Sequence, residues 1–188
     1  MDFNTFLLIV LLILLTILML MISIINKKIK ILIQALEDTT EEIIDEERDI
    51  VVLNDEKYFY YVLNIIKSAE REIDIIMFSM FRCKQTEELL NALIEARKRG
   101  VMVRIILNKE VESNKEAKNY LASERISVKY SKTRVHNKLV IVDDIVVVGS
   151  HNWTDSGLFE NKESSIAIRD KKVLKEEKEY FEALWERL

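Results

Sequence analysis

Two adjacent aliphatic runs near residue 140 constrain the fold of this chain more than any other feature. The first run covers residues 139–142 and is followed by Asp143-Asp144, and the second covers residues 145–148 and ends at Gly149. Short aliphatic runs bounded by turn residues are typical of buried strands. The sequence therefore predicts a buried hairpin with a tight acidic turn.

Polar side chains flank this hairpin at one end. Because side chains alternate along a strand, His136 and Lys138 share one face, and Ser150 and Asn152 share a face of the second strand. An imidazole, with an unperturbed pKa of about 6.5, can attack phosphorus or protonate a leaving oxygen, and an ammonium with neutral donors can hold phosphoryl oxygens. These residues predict a phosphodiester site. The alternative is a core histidine, which the adjacent lysine disfavours because burying both groups is costly.

The amino-acid sequence of the hairpin resembles the signature of the phospholipase D superfamily, H-x-K-x4-D followed by G-S-x-N. The matching residues are His136-Asn137-Lys138-x4-Asp143 and Gly149-Ser150-His151-Asn152. The resemblance implies that His136, Lys138 and Asp143 are catalytic, that Asn152 helps to hold phosphate, and that Ser150 and Glu163 orient the imidazole. The resemblance covers roughly residues 50–170. Within the family, the chain is similar to the members with a single motif, the Nuc-like and mitochondrial cardiolipin hydrolase-like phosphodiesterases.

Two residues of the motif have a second interpretation from their position on the strands. Asp143 lies an odd number of positions from His136 and therefore on the opposite face, which favours a structural acid that orients the strand or a neighbouring loop. His151 points away from the face of Ser150 and Asn152, so it is a poor candidate for a general acid. Five residues separate Asp143 from Gly149, one fewer than the family usually has, which predicts a shortened turn.

The resemblance implies a covalent phosphohistidine mechanism in which His136 is the nucleophile and a second histidine is the general acid. The chain has only two histidines and one copy of the motif. Single-copy relatives dimerise, so we expect a homodimer through the catalytic domain that brings His136 of each copy together. No acidic residue, nor the lone Cys83, is spaced with a histidine as a metal ligand set, and we expect no metal or other cofactor.

Charge leaves the substrate open. The formal net charge of −4 is not typical of a protein that coats DNA. Lys129, Lys132 and Arg134 could form a local electrostatic funnel for phosphates, or could be ordinary surface charges. The expected substrate is DNA, RNA or phospholipid. A catalytically weak or inactive relative that binds nucleic acid or anionic lipid, and a structural membrane protein with a dimeric stalk, are the alternatives.

The amino-terminal segment predicts a membrane anchor. Residues 6–25 are apolar except for Thr16 and Ser23, which is about the length that spans a bilayer. A signal peptide is disfavoured because no basic residues precede the run and no small-residue cleavage site follows it. Lysines 27, 28 and 30 predict that the following part is cytoplasmic, and the single Cys83 fits a reducing compartment. We expect a single-pass protein of the cell membrane.

The remaining pattern predicts three regions, an anchor at residues 1–28, an amphipathic helical stalk at 29–49 and a catalytic domain at 50–188. The stalk could extend the membrane helix, pair with its copy in a dimer, or lie on the catalytic domain. In the catalytic domain strands alternate with helices, which predicts an α/β/α sandwich, and the resemblance implies a mixed sheet. Asp55 and Thr86 are expected to cap two helices, and Gly100 to end the second.

Overall fold

The computed structural model describes residues 2–47 and 50–188. The chain divides into two compact units, Met1–Arg48 and Asp49–Leu188. The first unit contains one helix, α1 (Phe3–Glu47), whose 45 residues correspond to about 68 Å at 1.5 Å per residue. Helix α1 covers residues 3–47 of the predicted anchor and stalk, and residues 1, 48 and 49 lie outside the described residues.

The predicted membrane span at residues 6–25 is not shown by the structure. Over residues 2–47 and 50–188, no helix combines the length and the apolar character that crossing a bilayer requires.

The second unit alternates strands and helices, as the sequence predicts. Its elements in chain order are β1 (Ile50–Asn54), α2 (Glu56–Ser68), β2 (Glu72–Met77), α3 (Glu87–Lys98), β3 (Met102–Leu107), α4 (Asn114–Ser123), β4 (Ser127–Tyr130), β5 (Lys138–Val142), β6 (Ile145–Gly149), β7 (Ser164–Ile168) and α5 (Lys171–Trp185). A π-helical turn at Ser156–Glu160 lies between β6 and β7.

The strands form one seven-stranded sheet with the order β1-β7-β6-β5-β2-β3-β4. The pairs β2–β3 and β3–β4 are parallel and the other pairs are antiparallel, so the predicted mixed sheet is confirmed. Helices α2, α3 and α4 contribute buried side chains to the core on one face. On the other face Phe181 of α5 packs with residues such as Ile76 and Leu139. The α/β/α layering follows.

The predicted hairpin is confirmed as β5 and β6. Val142 pairs with Ile145, which leaves Asp143-Asp144 as a two-residue turn, and Asp143 has a positive φ of 51°. Strand β5 is antiparallel to β2, with Lys138 opposite Met77. The beginning of β5 therefore lies at the sheet edge where the carboxyl ends of β2 and β3 also lie, the usual place for ligand sites in open α/β sheets.

Two predicted helix caps are wrong. Asp55 has φ 51° and ψ −131° and makes no capping bond to α2, and its carboxylate instead accepts from Lys162 Nζ and from the backbone N–H of Glu163. Thr86 makes no capping bond to α3 and donates its hydroxyl to the carbonyl of Phe81. Gly100 has φ 99°, so the predicted left-handed end of α3 is confirmed.

Candidate active site

Lys138 begins β5 and lies directly beside His136. The Lys138 ammonium is 3.3 Å from Nδ1 and 3.4 Å from Nε2 of His136, and donates to the His136 carbonyl oxygen at 3.0 Å. Lys138 is only 7% exposed, and burial lowers the pKa of its ammonium while the charge of Glu163 partly opposes this shift. A cation held in this way can stabilise negative charge that develops next to the imidazole.

His136 is exposed and precedes β5, although the sequence indicated a buried face shared with Lys138. The reason is that strand pairing begins only at Lys138, so the backbone before it is free to leave the sheet. An exposed imidazole is open to a phosphodiester from solvent, which a core histidine would not be.

Phe78 supports the histidine and was missed by sequence reasoning. Its ring lies 4.5 Å from the His136 ring, centre to centre, and its backbone N–H donates to the Asn137 carbonyl at 3.0 Å. The Lys138 ammonium lies 5.2 Å from the centre of the same ring. Phe78 directly follows β2, and an aromatic residue at the end of a buried strand is the only sequence signal that could have indicated this role.

Asn152 and Ser150 follow β6 at the same edge of the sheet. Asn152 is half-buried and its Oδ1 accepts the backbone N–H of Ser79 at 3.3 Å, which leaves its amide nitrogen available to donate. Ser150 is exposed, and its hydroxyl accepts the backbone N–H of Ser164 at 3.0 Å. Within the described residues, Ser150 therefore joins the ends of β6 and β7 rather than contacting His136.

Glu163 lies just before β7 on the same side of the molecule. Its carboxylate accepts from the amide of Asn161 at 3.1 Å, and its backbone pairs with Asp55. In the part of the chain that the structure describes, no hydrogen bond joins Glu163 to His136. Its carboxylate nevertheless raises the pKa of Lys138 and of His151 relative to burial alone, so it contributes negative charge to this edge.

His151 is buried in the core, as its position on the strand predicts. Nδ1 is 2.7 Å from the Ser165 hydroxyl and Nε2 is 3.1 Å from the Asp55 carbonyl, so Nε2 carries the proton and Nδ1 accepts. The ring stacks on Tyr58 at 4.2 Å. Burial lowers the pKa of His151, which keeps the imidazole neutral and unavailable to substrate.

Asp143 lies at the opposite end of β5, and the structure does not bring it to His136. Its carboxylate accepts three backbone N–H groups from the segment before β2, those of Glu70, Arg71 and Glu72, at 2.9, 2.9 and 3.1 Å. Burial alone would raise the pKa of Asp143, but these donors and the Arg71 charge hold it below its usual value. This geometry is that of a structural acid, and it gives the motif residue no contact with the candidate site.

The basic residues before His136 do not form one funnel. Lys129 points to α5, where its ammonium donates to the Trp185 carbonyl at 3.0 Å. Arg134 lies 5.7 Å from the centre of the Phe78 ring and 3.9 Å from the Glu110 carboxylate. Arg134 is thus linked to the candidate site, whereas Lys129 is held against α5. Among the described residues, no group of three or more His, Cys, Asp or Glu side chains could hold a metal ion.

Comparisons with known proteins agree with this arrangement. The family model described as "Cardiolipin synthase, PLD-like domain" matches residues 62–185. The chain is 27% identical over 128 residues to the mitochondrial cardiolipin hydrolase of Chlamydomonas reinhardtii, covering 66% of this chain and 56% of that protein. It is 33% identical over 117 residues to phospholipase D of Rickettsia prowazekii, covering 60% and 55%. The chain thus spans little more than half the length of these relatives.

A solved structure supports the same family. Nuc, a phospholipase D family member from Salmonella typhimurium, superposes with a TM-score of 0.66 at 26% identity, covering 73% of this chain and 93% of that protein. NucT from Helicobacter pylori has a TM-score of 0.60 at 19% identity, covering 73% and 96%, which supports the fold alone. Since the family model matches more than half of the sequence, this chain belongs to the phospholipase D-like phosphodiesterase family.

Proposed function

We propose that this protein hydrolyses phosphodiester bonds through a covalent intermediate on His136, without a metal ion. The observation that carries the proposal is the buried Lys138 ammonium, which lies within 3.4 Å of both ring nitrogens of the exposed His136. Burying an ammonium costs free energy. A phosphate bound beside the imidazole would offset this cost, which the apolar core cannot do.

In the first step a ring nitrogen of His136 attacks phosphorus. The N–P bond forms as the P–O bond to the leaving group breaks, and a general acid protonates the departing oxygen. In the second step water attacks phosphorus and the N–P bond breaks, while the same group accepts a proton from the water. Lys138 and the Asn152 amide would hold the phosphoryl oxygens as their charge grows, and Phe78 would keep the imidazole ring in place.

The general acid in this proposal is His136 of a second copy, in a homodimer formed through the catalytic domain. His151 is unsuitable because its two ring nitrogens are bonded to Ser165 and Asp55 in the core. The exposed position of His136 leaves it free to face a partner copy across a two-fold axis.

Mixed subunits test the dimer. Wild-type chains are mixed with inactive His136→Ala chains at a constant total concentration. If both copies of His136 act in one site, the remaining turnover should be roughly proportional to the square of the wild-type fraction. A loss in direct proportion to the wild-type fraction, or full turnover by a monomer in light scattering, would end this part of the proposal. Chains carrying Lys175→Ala, an exposed change in α5, serve as the diluting control.

We also propose that residues 6–25 anchor the protein in the cell membrane with the catalytic unit in the cytoplasm. The support is in the sequence, namely the apolar run and the lysines that follow it. The chain should stay with membranes after an alkaline carbonate wash, and its catalytic unit should resist protease added to intact cells but not to permeabilised cells. Release by carbonate, or cleavage in intact cells, would refute the anchor or its orientation.

The substrate is a nucleic acid or a phospholipid. The second candidate function is binding of nucleic acid or anionic lipid without turnover, which is favoured by the missing bond between Glu163 and His136 among the described residues. Hydrolysis of bis(p-nitrophenyl) phosphate by the full chain, lost in His136→Ala, separates the two. Binding with no turnover above that of His136→Ala would favour the second candidate.

A further inference from the structure

A cavity of about 400 Å³ opens at the carboxyl edge of the sheet, and its lining residue Glu110 pairs with Arg134 at 3.9 Å. Its walls come from the loop after β3, from one side of α4 and from Tyr130 at the end of β4. The residues that line it are Lys109, Glu110, Val111, Glu112, Lys115, Lys118, Asn119 and Tyr130. The cavity plays no part in the chemistry at His136.

The cavity is electrostatically suited to an anion. Among the ion pairs of the described residues, none includes the lining lysines Lys109, Lys115 or Lys118. One of the two lining glutamates, Glu110, faces Arg134 at 3.9 Å, which reduces the negative charge available inside. The unpaired ammonium groups therefore outnumber the unpaired carboxylates.

An aromatic surface lies beside these cations. The Lys118 ammonium lies over the Tyr130 ring, 4.0 Å from its centre, so the charge and the ring form one contact in the lining. Tyr130 is half-buried, and this partial burial raises the pKa of its hydroxyl. A ring next to a cation is what single-stranded nucleic acid binding uses, the ring for a base and the cation for a phosphate.

A chain of contacts joins the cavity to the candidate active site. Glu110 of the cavity pairs with Arg134, Arg134 lies 5.7 Å from the centre of the Phe78 ring, and that ring lies 4.5 Å from the His136 ring. A bound strand could therefore extend from His136 along the sheet edge into the cavity. The lining favours a nucleic acid strand because it presents three lysines beside one aromatic ring.

We propose that this cavity is a subsite for a nucleotide farther along a single-stranded nucleic acid whose scissile phosphate lies at His136, with the base on Tyr130 and a phosphate on Lys118. The inference rests on the proposed phosphodiesterase function and selects nucleic acid over phospholipid as the substrate. A single strand is required because a base within a duplex is stacked and cannot reach the ring.

Binding is measured with the full chain carrying His136→Ala, which prevents cleavage, and a fluorescein-labelled ten-residue oligothymidylate. Tyr130→Ala should weaken binding about 5- to 150-fold, whereas Tyr130→Phe keeps the ring and should stay within about twofold of the parent. Lys118→Ala should reduce the slope of log affinity against log salt by about 0.7. Tyr60→Ala and Lys175→Ala, at exposed positions on other helices, are the matched controls.

Unchanged affinity in Tyr130→Ala together with an unchanged salt slope in Lys118→Ala would overturn the subsite. The subsite would also be overturned if Tyr130→Ala weakened the binding of an abasic strand of the same length by the same factor, because the ring would then not be contacting a base. Lys118 is half-buried and is not among the buried residues of α4, so its variant gives a result even if Tyr130→Ala fails to fold.

Turnover separates this inference from the function on which it rests. With His136 present, Tyr130→Ala should still hydrolyse bis(p-nitrophenyl) phosphate, which is too small to fill the cavity, while kcat/KM for the oligonucleotide falls. If the wild-type chain hydrolyses neither substrate, the proposed function fails, and the binding measurement still decides the subsite. Loss of cardiolipin turnover from vesicles in Tyr130→Ala, with oligonucleotide binding unchanged, would overturn the assignment to nucleic acid.

Discussion

Replacing Asp143 by asparagine should destabilise the second unit and leave catalysis nearly intact. The motif of the family includes this aspartate, yet its carboxylate lies at the far end of β5, about 17 Å from the start of the strand at about 3.4 Å per residue. There it accepts three backbone N–H groups of residues 70–72. The expected effect is therefore on the anchoring of β2 and not on the phosphate.

The hydrogen bonds give the size of the loss. Two of the N–H groups, those of Arg71 and Glu72, bond to one oxygen of Asp143, and that of Glu70 bonds to the other. An asparagine can keep the first two as weaker neutral bonds, but its NH2 group cannot accept the third. Losing one bond to a charged acceptor and weakening two others costs roughly 2–4 kcal/mol, and the lower half of this range is expected because the side chain is 21% exposed.

The assay combines urea denaturation of the full chain with turnover of bis(p-nitrophenyl) phosphate. Asp144→Asn is the matched control, since this neighbouring turn carboxylate is 70% exposed and forms a surface pair with Arg71 at 2.7 Å, so its removal should cost under about 1 kcal/mol. We expect kcat/KM of Asp143→Asn to stay within about threefold of wild type below the unfolding transition. A hundredfold loss of turnover at unchanged stability would refute the structural role.

Three further predictions concern the charge, the core histidine and the metal. Lys138→Met should reduce turnover about 10²- to 10³-fold while stability changes by less than about 1 kcal/mol, because burial already disfavours the ammonium; wild-type turnover would contradict this. Burial lowers the pKa of His151, so as pH falls the unfolded chain binds this proton before the folded chain does. The free energy of unfolding should therefore fall below about pH 6.5, by at most ~1.4 kcal/mol per pH unit. The same slope in His151→Gln would exclude this cause. Turnover should persist in EDTA, and a loss that magnesium restores would refute the metal-free reaction.

The sheet and the hairpin could be predicted because their signals are local. Uninterrupted aliphatic runs and the Asp143-Asp144 turn specify β5 and β6 without knowledge of distant residues, and the alternation of side chains correctly put His151 away from the site. The same alternation failed at His136, because the segment before Lys138 is not paired with β2 and strand geometry does not apply to it.

Contacts between residues distant in sequence could not be predicted. Asp55 is followed by a helix, and only the fold shows that its carboxylate bonds to Lys162 and Glu163, more than a hundred residues away. Lys129 belongs by sequence to a basic cluster, but the packing of α5 brings Trp185 beside it. The support of His136 by Phe78 likewise depends on the pairing of β2 with β5, which no short stretch of sequence specifies.

Detection of a covalent intermediate on His136 tests the proposed mechanism most directly. The full chain is mixed with bis(p-nitrophenyl) phosphate, quenched in alkali during turnover and digested, and its peptides are analysed by mass spectrometry. We expect a p-nitrophenylphosphoryl group on His136, with a burst of nitrophenolate that precedes steady turnover. The absence of any adduct on His136 in a chain that shows such a burst, or an adduct on another residue that persists in an active His136→Ala variant, would contradict the account.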